Sequence, residues 1–434
     1  MLWGRFILRS SCVREVRVSD SFCCKELELI RHLVSNNGGS TFLPNLRLIE
    51  WHDNLEVGSF LELVDLVVPP CLTTLYYIPR GEPPADVTAT LMRFSGAAQT
   101  LTFLQVNCWS NSAYVMPRIS RLVPLFQHLR HLAIPHGLSL QDMSQVSLLP
   151  ALEVFRCSME GHLFAPSQWD GTIALPKLRT LDITGSLECV STFFAHFRSP
   201  YLSSVSLRLD FHLDSGDTKA LFRNLSASAS AKQLIDMDFH VKGDPDDLPS
   251  VDFGDVLQPL LSHRRVRQFF IEHTCFATLS DDDVLSMAKA WGELTEFGLA
   301  PSYFDSFRNV VTPKALEHLA QFCTHLTWVG VPLYIFRNPS IPAQPSTPSH
   351  PLMNLIVEIF HIRSTVQPVK LAQFIDVLFP NIVVPSPMVP PKRAVSFSQI
   401  IWDETLVVLA SLQRERLRPE VIRPHSGNTA HSLQ

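Results

Sequence analysis

The sequence predicts an α/β solenoid, with a curved parallel sheet on the concave side and helices on the convex side. Three observations predict it. A phrase of the form apolar-x-x-apolar-x-apolar recurs along the chain, prolines precede it at a fixed offset, and helix-start signals fall between its copies. Clear copies are Leu46-x-x-Ile49-x-Trp51, Leu101-x-x-Leu104-x-Val106, Leu129-x-x-Leu132-x-Ile134, Leu152-x-x-Phe155-x-Cys157 and Leu178-x-x-Leu181-x-Ile183.

Thirteen copies can be placed, with first anchors at Val13, Leu46, Leu72, Leu101, Leu129, Leu152, Leu178, Leu202, Leu234, Val266, Leu294, Leu326 and Leu352. Their mean spacing of about 28 residues matches the ~20–29 of a leucine-rich repeat. Pro44, Pro70, Pro150, Pro176 and Pro200 each lie two residues before a first anchor. With 32 prolines in 434 residues, about one such coincidence is expected, so five carry weight. Proline cannot donate to a ladder but tolerates a strand's first residue, which places strand starts at these prolines. The copies lack a consistent Asn or Cys three residues past the last anchor, so the repeat is an irregular one without that polar ladder.

Between the phrases, Ser280-Asp-Asp-Asp283 ahead of Val284, Leu285 and Ala288 resembles a capping box. Thr312-Pro313 sets an N-cap and an N1 proline before Leu316, Leu319 and Ala320. Residues 58–67, 86–96, 188–197, 216–225 and 368–379 share the helical spacing. Three buried anchors contribute roughly 5–9 kcal/mol, several times less than ordering a unit of this length costs. Stability must therefore come from stacking neighbours.

The expected organisation is a solenoid over residues 1–383 with a proline-rich loop at about 338–351. A proline-rich segment and a C-terminal capping helix follow over 384–416, then a disordered tail over 417–434. The helix is read over Ser396–Glu415, from Ile400, Ile401, Leu406, Val407, Leu409 and Leu412.

Charged residues are 18% of the chain and the net charge is −5, which gives no electrostatic case for nucleic acid or an anionic membrane as partner. The cluster His263-Arg264-Arg265 with Arg267 reads as a solvated loop. The stretch Phe60–Ile78 is broken by Glu62, Asp65 and two prolines, so no transmembrane span is expected. Nine scattered cysteines without a C-x-x-C favour a reducing compartment, hence an intracellular protein, cytoplasmic or nuclear. Cys157 and Cys323 read as small buried hydrophobes.

The phosphate-loop, dinucleotide, zinc-protease and nucleophile-elbow motifs are all missing from the sequence, so neither a catalytic residue nor a cofactor is expected. His318 with His325, and His128 with His131, lack a third clustered metal ligand. Asp244-Pro-Asp-Asp247 reads as a solvated loop and Asp281-Asp-Asp283 as a helix N-terminus suited to negative charge.

What remains is the concave sheet face, where residues alternating with the anchors point outward. Aromatics and arginines are the usual anchors of protein interfaces, which singles out Tyr76, Phe103, Arg156, Arg208, Phe270 and Trp328. Asp182, Asp238 and Glu272 complete the candidate partner-binding set. At about 4.8 Å per strand, thirteen strands span roughly 60 Å, enough for a standard protein interface.

The opening Trp3-Gly-Arg-Phe6, then Cys12-Val-Arg-Glu-Val-Arg-Val18, and the closing Leu371…Phe374-Ile-Asp-Val-Leu-Phe-Pro380 complete the pattern. Together with the LPxL phrases they resemble the repeat region of fungal F-box-like proteins, over about residues 1–383. The resemblance implies a substrate receptor of a cullin-type ubiquitin ligase, a scaffold rather than an enzyme, with the target held by the repeats. It implies a Skp-type adaptor as partner only where an F-box lies upstream, and none precedes Trp3 in this sequence. The alternatives are a leucine-rich-repeat GTPase activator and a ubiquitin-independent recognition or structural protein.

Overall fold

The computed structural model describes residues 5, 8–18, 24–38, 41, 43–53, 64–79, 87–107, 123–159, 171–210, 215–229, 233–242, 251–273, 276–301, 311–342, 350–384 and 397–417. Trp3 and Phe6, the acidic group Asp244-Pro-Asp-Asp247, half of the proline-rich loop, most of the second proline-rich segment and the tail lie outside the described residues.

Each of the thirteen copies supplies one strand, which begins two residues past the first anchor. The strands are β1 (Glu15–Val18), β2 (Leu48–Asp53), β3 (Thr74–Pro79), β4 (Phe103–Val106), β5 (His131–Gly137), β6 (Val154–Met159) and β7 (Thr180–Ser186). They continue as β8 (Ser204–Asp210), β9 (Asp236–Lys242), β10 (Gln268–His273), β11 (Glu296–Pro301), β12 (Trp328–Ile335) and β13 (Asn354–Ile362). All thirteen join one sheet in chain order, and every neighbouring pair is parallel. The fold is a leucine-rich-repeat solenoid, as the phrase predicts.

The alternation is sharp. Along β7, Leu181, Ile183 and Gly185 are buried while Thr180, Asp182, Thr184 and Ser186 are half-exposed. The anchors face the helices and form one continuous core. Those helices are α1 (Cys24–Asn36), α2 (Val87–Ala97), α3 (Leu140–Val146), α4 (Leu187–His196), α5 (Ser215–Ser228) and α6 (Phe253–Leu257). Then follow α7 (Asp281–Ala290), α8 (Pro313–Phe322), α9 (Pro368–Leu378) and α10 (Phe397–Leu417). The capping box at Ser280 and Asp283 forms, and Thr312 caps α8 with Pro313 at its first position. The Asp281 carboxylate accepts from Thr312 N–H at 2.8 Å and from its hydroxyl at 2.6 Å, which fastens two successive helix starts together. The acidic run is thereby occupied by capping.

The prolines correct one expectation: they do not begin strands. Pro44, Pro70, Pro176 and Pro200 occupy the second position of tight turns, closed by N–H donation from Leu46, Leu72, Leu178 and Leu202 to the carbonyls of Leu43, Pro69, Leu175 and Ser199. The fixed φ of proline suits that position, and its missing N–H costs nothing there.

A backbone ladder runs through the same turns. The carbonyl one residue past each first anchor accepts two N–H groups from the next copy. Arg47 and Leu48 donate to Arg14 O, and the pattern repeats unbroken to Met353 and Asn354 on Thr327 O. The hydroxyls of Thr73, Thr102, Ser203, Thr295 and Thr327 add a third donor to the same carbonyls. This ladder stitches the copies where an asparagine ladder is absent.

Cys157 and Cys323 are buried, and burial pushes the Cys323 thiol up to about 12. The basic cluster needs a second correction. Arg264, Arg265 and Arg267 are exposed, but His263 is fully buried, with Nε2 3.1 Å from the Ser226 hydroxyl. His350 is equally buried, placed to donate from Nε2 to Cys323 O at 3.2 Å and to accept Leu352 N–H at Nδ1. Burial lowers the pKa of both imidazoles, with the Cys323 carbonyl opposing it for His350.

A depressed folded pKa means stability that is complete above the unfolded value of about 6.5 and lost as pH falls below it. The raised carboxyls of Asp236, Glu317 and Asp376 act in the opposite sense, from the ordinary carboxylate range upward to their raised values. The urea midpoint should therefore fall between pH 7.5 and 5.5, and His350→Asn should flatten that fall. A midpoint that rises over this interval would contradict the assignment.

Candidate protein-binding face

The face opposite the helices carries three aligned rows. One runs Phe103, His131, Val154, Thr180, Ser204, Asp236, Gln268, Glu296 and Trp328 across β4 to β12. The middle row holds Tyr76 on β3, Arg156 on β6, Asp182 on β7, Asp238 on β9 and Phe270 on β10. The third holds Arg208 on β8, His240 on β9 and Glu272 on β10. All nine candidate residues thus lie on this face.

They fall into separate groups. Tyr76 and Phe103 meet with ring centroids 5.0 Å apart, and His131 lies 5.8 Å from Phe103, tilted by 41°. Arg156 and Asp182 form a long ion pair at 3.9 Å. Arg208 stands beside His240 in register.

The third group is the densest. His240 Nδ1 lies 2.8 Å from Glu272, and Nε2 lies 3.2 Å from Asp238. Asp238 also accepts from the Ser206 hydroxyl at 3.2 Å. Next to it, the rings of Phe270 and Trp328 sit 5.3 Å apart, tilted by 52°. They lie over two glycines: a Cβ on Gly298 would come within 2.5 Å of the Phe270 ring, and one on Gly330 within 2.5 Å of Trp328. Burial, aided by repulsion from Glu296, raises the Asp236 pKa against the opposing pull of Arg267. Gln268 donates to Glu296 at 3.3 Å.

The sequence marked Asp238, Phe270, Glu272 and Trp328 one by one. It did not reveal that β9 to β12 bring them together, nor the glycine floor. The available signal was a glycine at the same outward position in two successive copies, Gly298 and Gly330. Among the described residues no group of His, Cys, Asp and Glu is placed to hold a metal ion, and no helix is long and apolar enough to cross a membrane.

No protein-family model matches the chain, and no curated protein matches it. Among solved structures, it is similar to the leucine-rich repeat-containing protein LegL7 from Legionella pneumophila, with 12% identity and a TM-score of 0.38 over 77% of this chain and 88% of that one. It is also similar to the complex of Rad7 and Elc1 in yeast, with 12% identity and a TM-score of 0.39 over 84% of this chain and 85% of that one. The class of this protein follows from its own register, one parallel strand for every copy of the phrase.

Proposed function

We propose that the chain is a non-enzymatic scaffold whose open sheet face holds a protein target. The carrying observation is that face: aromatic groups at β3–β5 and β10–β12, with charged pairs between them. Six strand spacings of about 4.8 Å separate β4 from β10, so one partner of ordinary size reaches both groups. Large half-exposed rings beside polar groups are what protein interfaces use as anchors. The finer reading, the target-holding part of a fungal-type F-box-like receptor in a ubiquitin ligase, rests on the resemblance of the LPxL phrases and the closing Leu371–Pro380 segment. It makes the protein intracellular, with a Skp-type adaptor as partner only in a form that carries an F-box.

A photo-crosslinking residue at Tyr76 should give a discrete adduct with one protein, and Arg156→Glu should remove it. The same probe at Lys289 on α7 should not give that adduct. Identical adducts from both positions, or none from Tyr76, would end the scaffold reading. Deleting the gene should raise the level of the crosslinked protein if the ligase link holds; an unchanged level removes that link and leaves the scaffold.

A further inference from the structure

Between β9 and β12 the open face sinks into a pocket of about 240 Å³. Its walls are Phe270 and Trp328, its floor is Gly298 and Gly330, and its rim carries the Asp238 and Glu272 carboxylates. Gly298 and Gly330 create the depression, since any side chain there would displace the rings. Among the described residues no Lys or Arg lines it, and the adjoining row on one side carries Asp236 and Glu296. Arg208 lies beyond His240 in register. His240 bridges the two rim carboxylates and holds them in place.

We propose that this pocket receives an arginine side chain of the partner protein, an inference that rests on the scaffold reading above. Charge complementarity selects the occupant. An anion would meet the two rim carboxylates, and a neutral apolar group would strip water from them without replacing its hydrogen bonds. A cation over the face of Trp328 gains from the ring's quadrupole. A guanidinium is planar, so it stacks on Trp328 while its N–H groups reach Asp238 or Glu272; an ammonium does one or the other. The volume suits one long side chain, delivered by a segment lying across the strands.

Arginine amide is the probe, with citrulline amide as its neutral isostere, read by the emission of Trp328. Subtracting the signal of Trp328→Phe isolates that residue from the other tryptophans. Arginine amide should produce a saturable change that weakens with added salt, and citrulline amide should not. Asp238→Asn with Glu272→Gln should weaken the response about tenfold or more, with an unchanged circular dichroism spectrum confirming the fold. Equal responses to the two amides, no saturable response, or an undiminished response in the double variant would each overturn the proposal. If those failures came while the Tyr76 adduct persisted, the scaffold reading would stand and only the arginine site would fall.

Discussion

A chain ending at Val384, which removes α10, should lose more stability than any single substitution and should aggregate. Among the described residues β13 is the last strand of the sheet, paired with β12 alone. α10 packs against β13 and α9 and buries Ile401, Trp402, Thr405 and Leu409. Ile362 N–H donates to the Ser398 hydroxyl at 3.0 Å, and Gln413 donates to Ile382 O at 2.8 Å. Arg416 reaches both Pro380 O and the Asp376 carboxylate. Three large apolar side chains correspond to roughly 5–9 kcal/mol of burial. Their loss also bares an edge strand with unpaired backbone groups, a template for another chain. Size-exclusion chromatography and a thermal melt of the fragment would show both effects; a monomer with the melting temperature of the full chain would refute the expectation.

The repeats were legible because the requirement behind them is simple. A strand that stacks on its neighbours must bury the same alternate positions every time, and only apolar side chains survive there. Even Val13, Val266 and Leu352 therefore mark real strands. The prolines misled because an offset from an anchor does not say where ladder bonding begins. That happens one residue past the anchor, once the turn has closed. α3 went unread although Ser139 and Asp142 form a capping box, since its seven residues are too few to display a helical period. The pocket was hidden for another reason. Its members come from copies about thirty residues apart, and their meeting depends on register and on two side chains that are not there. Alternation alone puts His240 on the open face, and only the register of β9 and β10 brings it to its two carboxylate partners.

Phe269→Ala should cost about 3–5 kcal/mol, a large loss for one side chain of the sheet core. Phe269 is the second anchor of β10 and is fully buried. Its ring meets Phe239 of the preceding copy at 6.1 Å, Phe297 of the following one at 6.0 Å and Trp291 at 4.7 Å. One side chain thus joins three consecutive copies, and none can fill the void without breaking the register of the others. In a solenoid each copy is held by its neighbours alone, so the damage should be local before it is global. Hydrogen exchange should lose protection across β9 to β11 while β3 to β6 keep theirs. Phe103→Ala is the control on the open face: its half-buried ring faces Tyr76 and His131 rather than the helices, so it should cost only about 1 kcal/mol. Two phenylalanines on alternate faces of one sheet then differ severalfold in stability cost. Equal costs would mean that the faces have been assigned the wrong way round, and with them every residue placed on the open face.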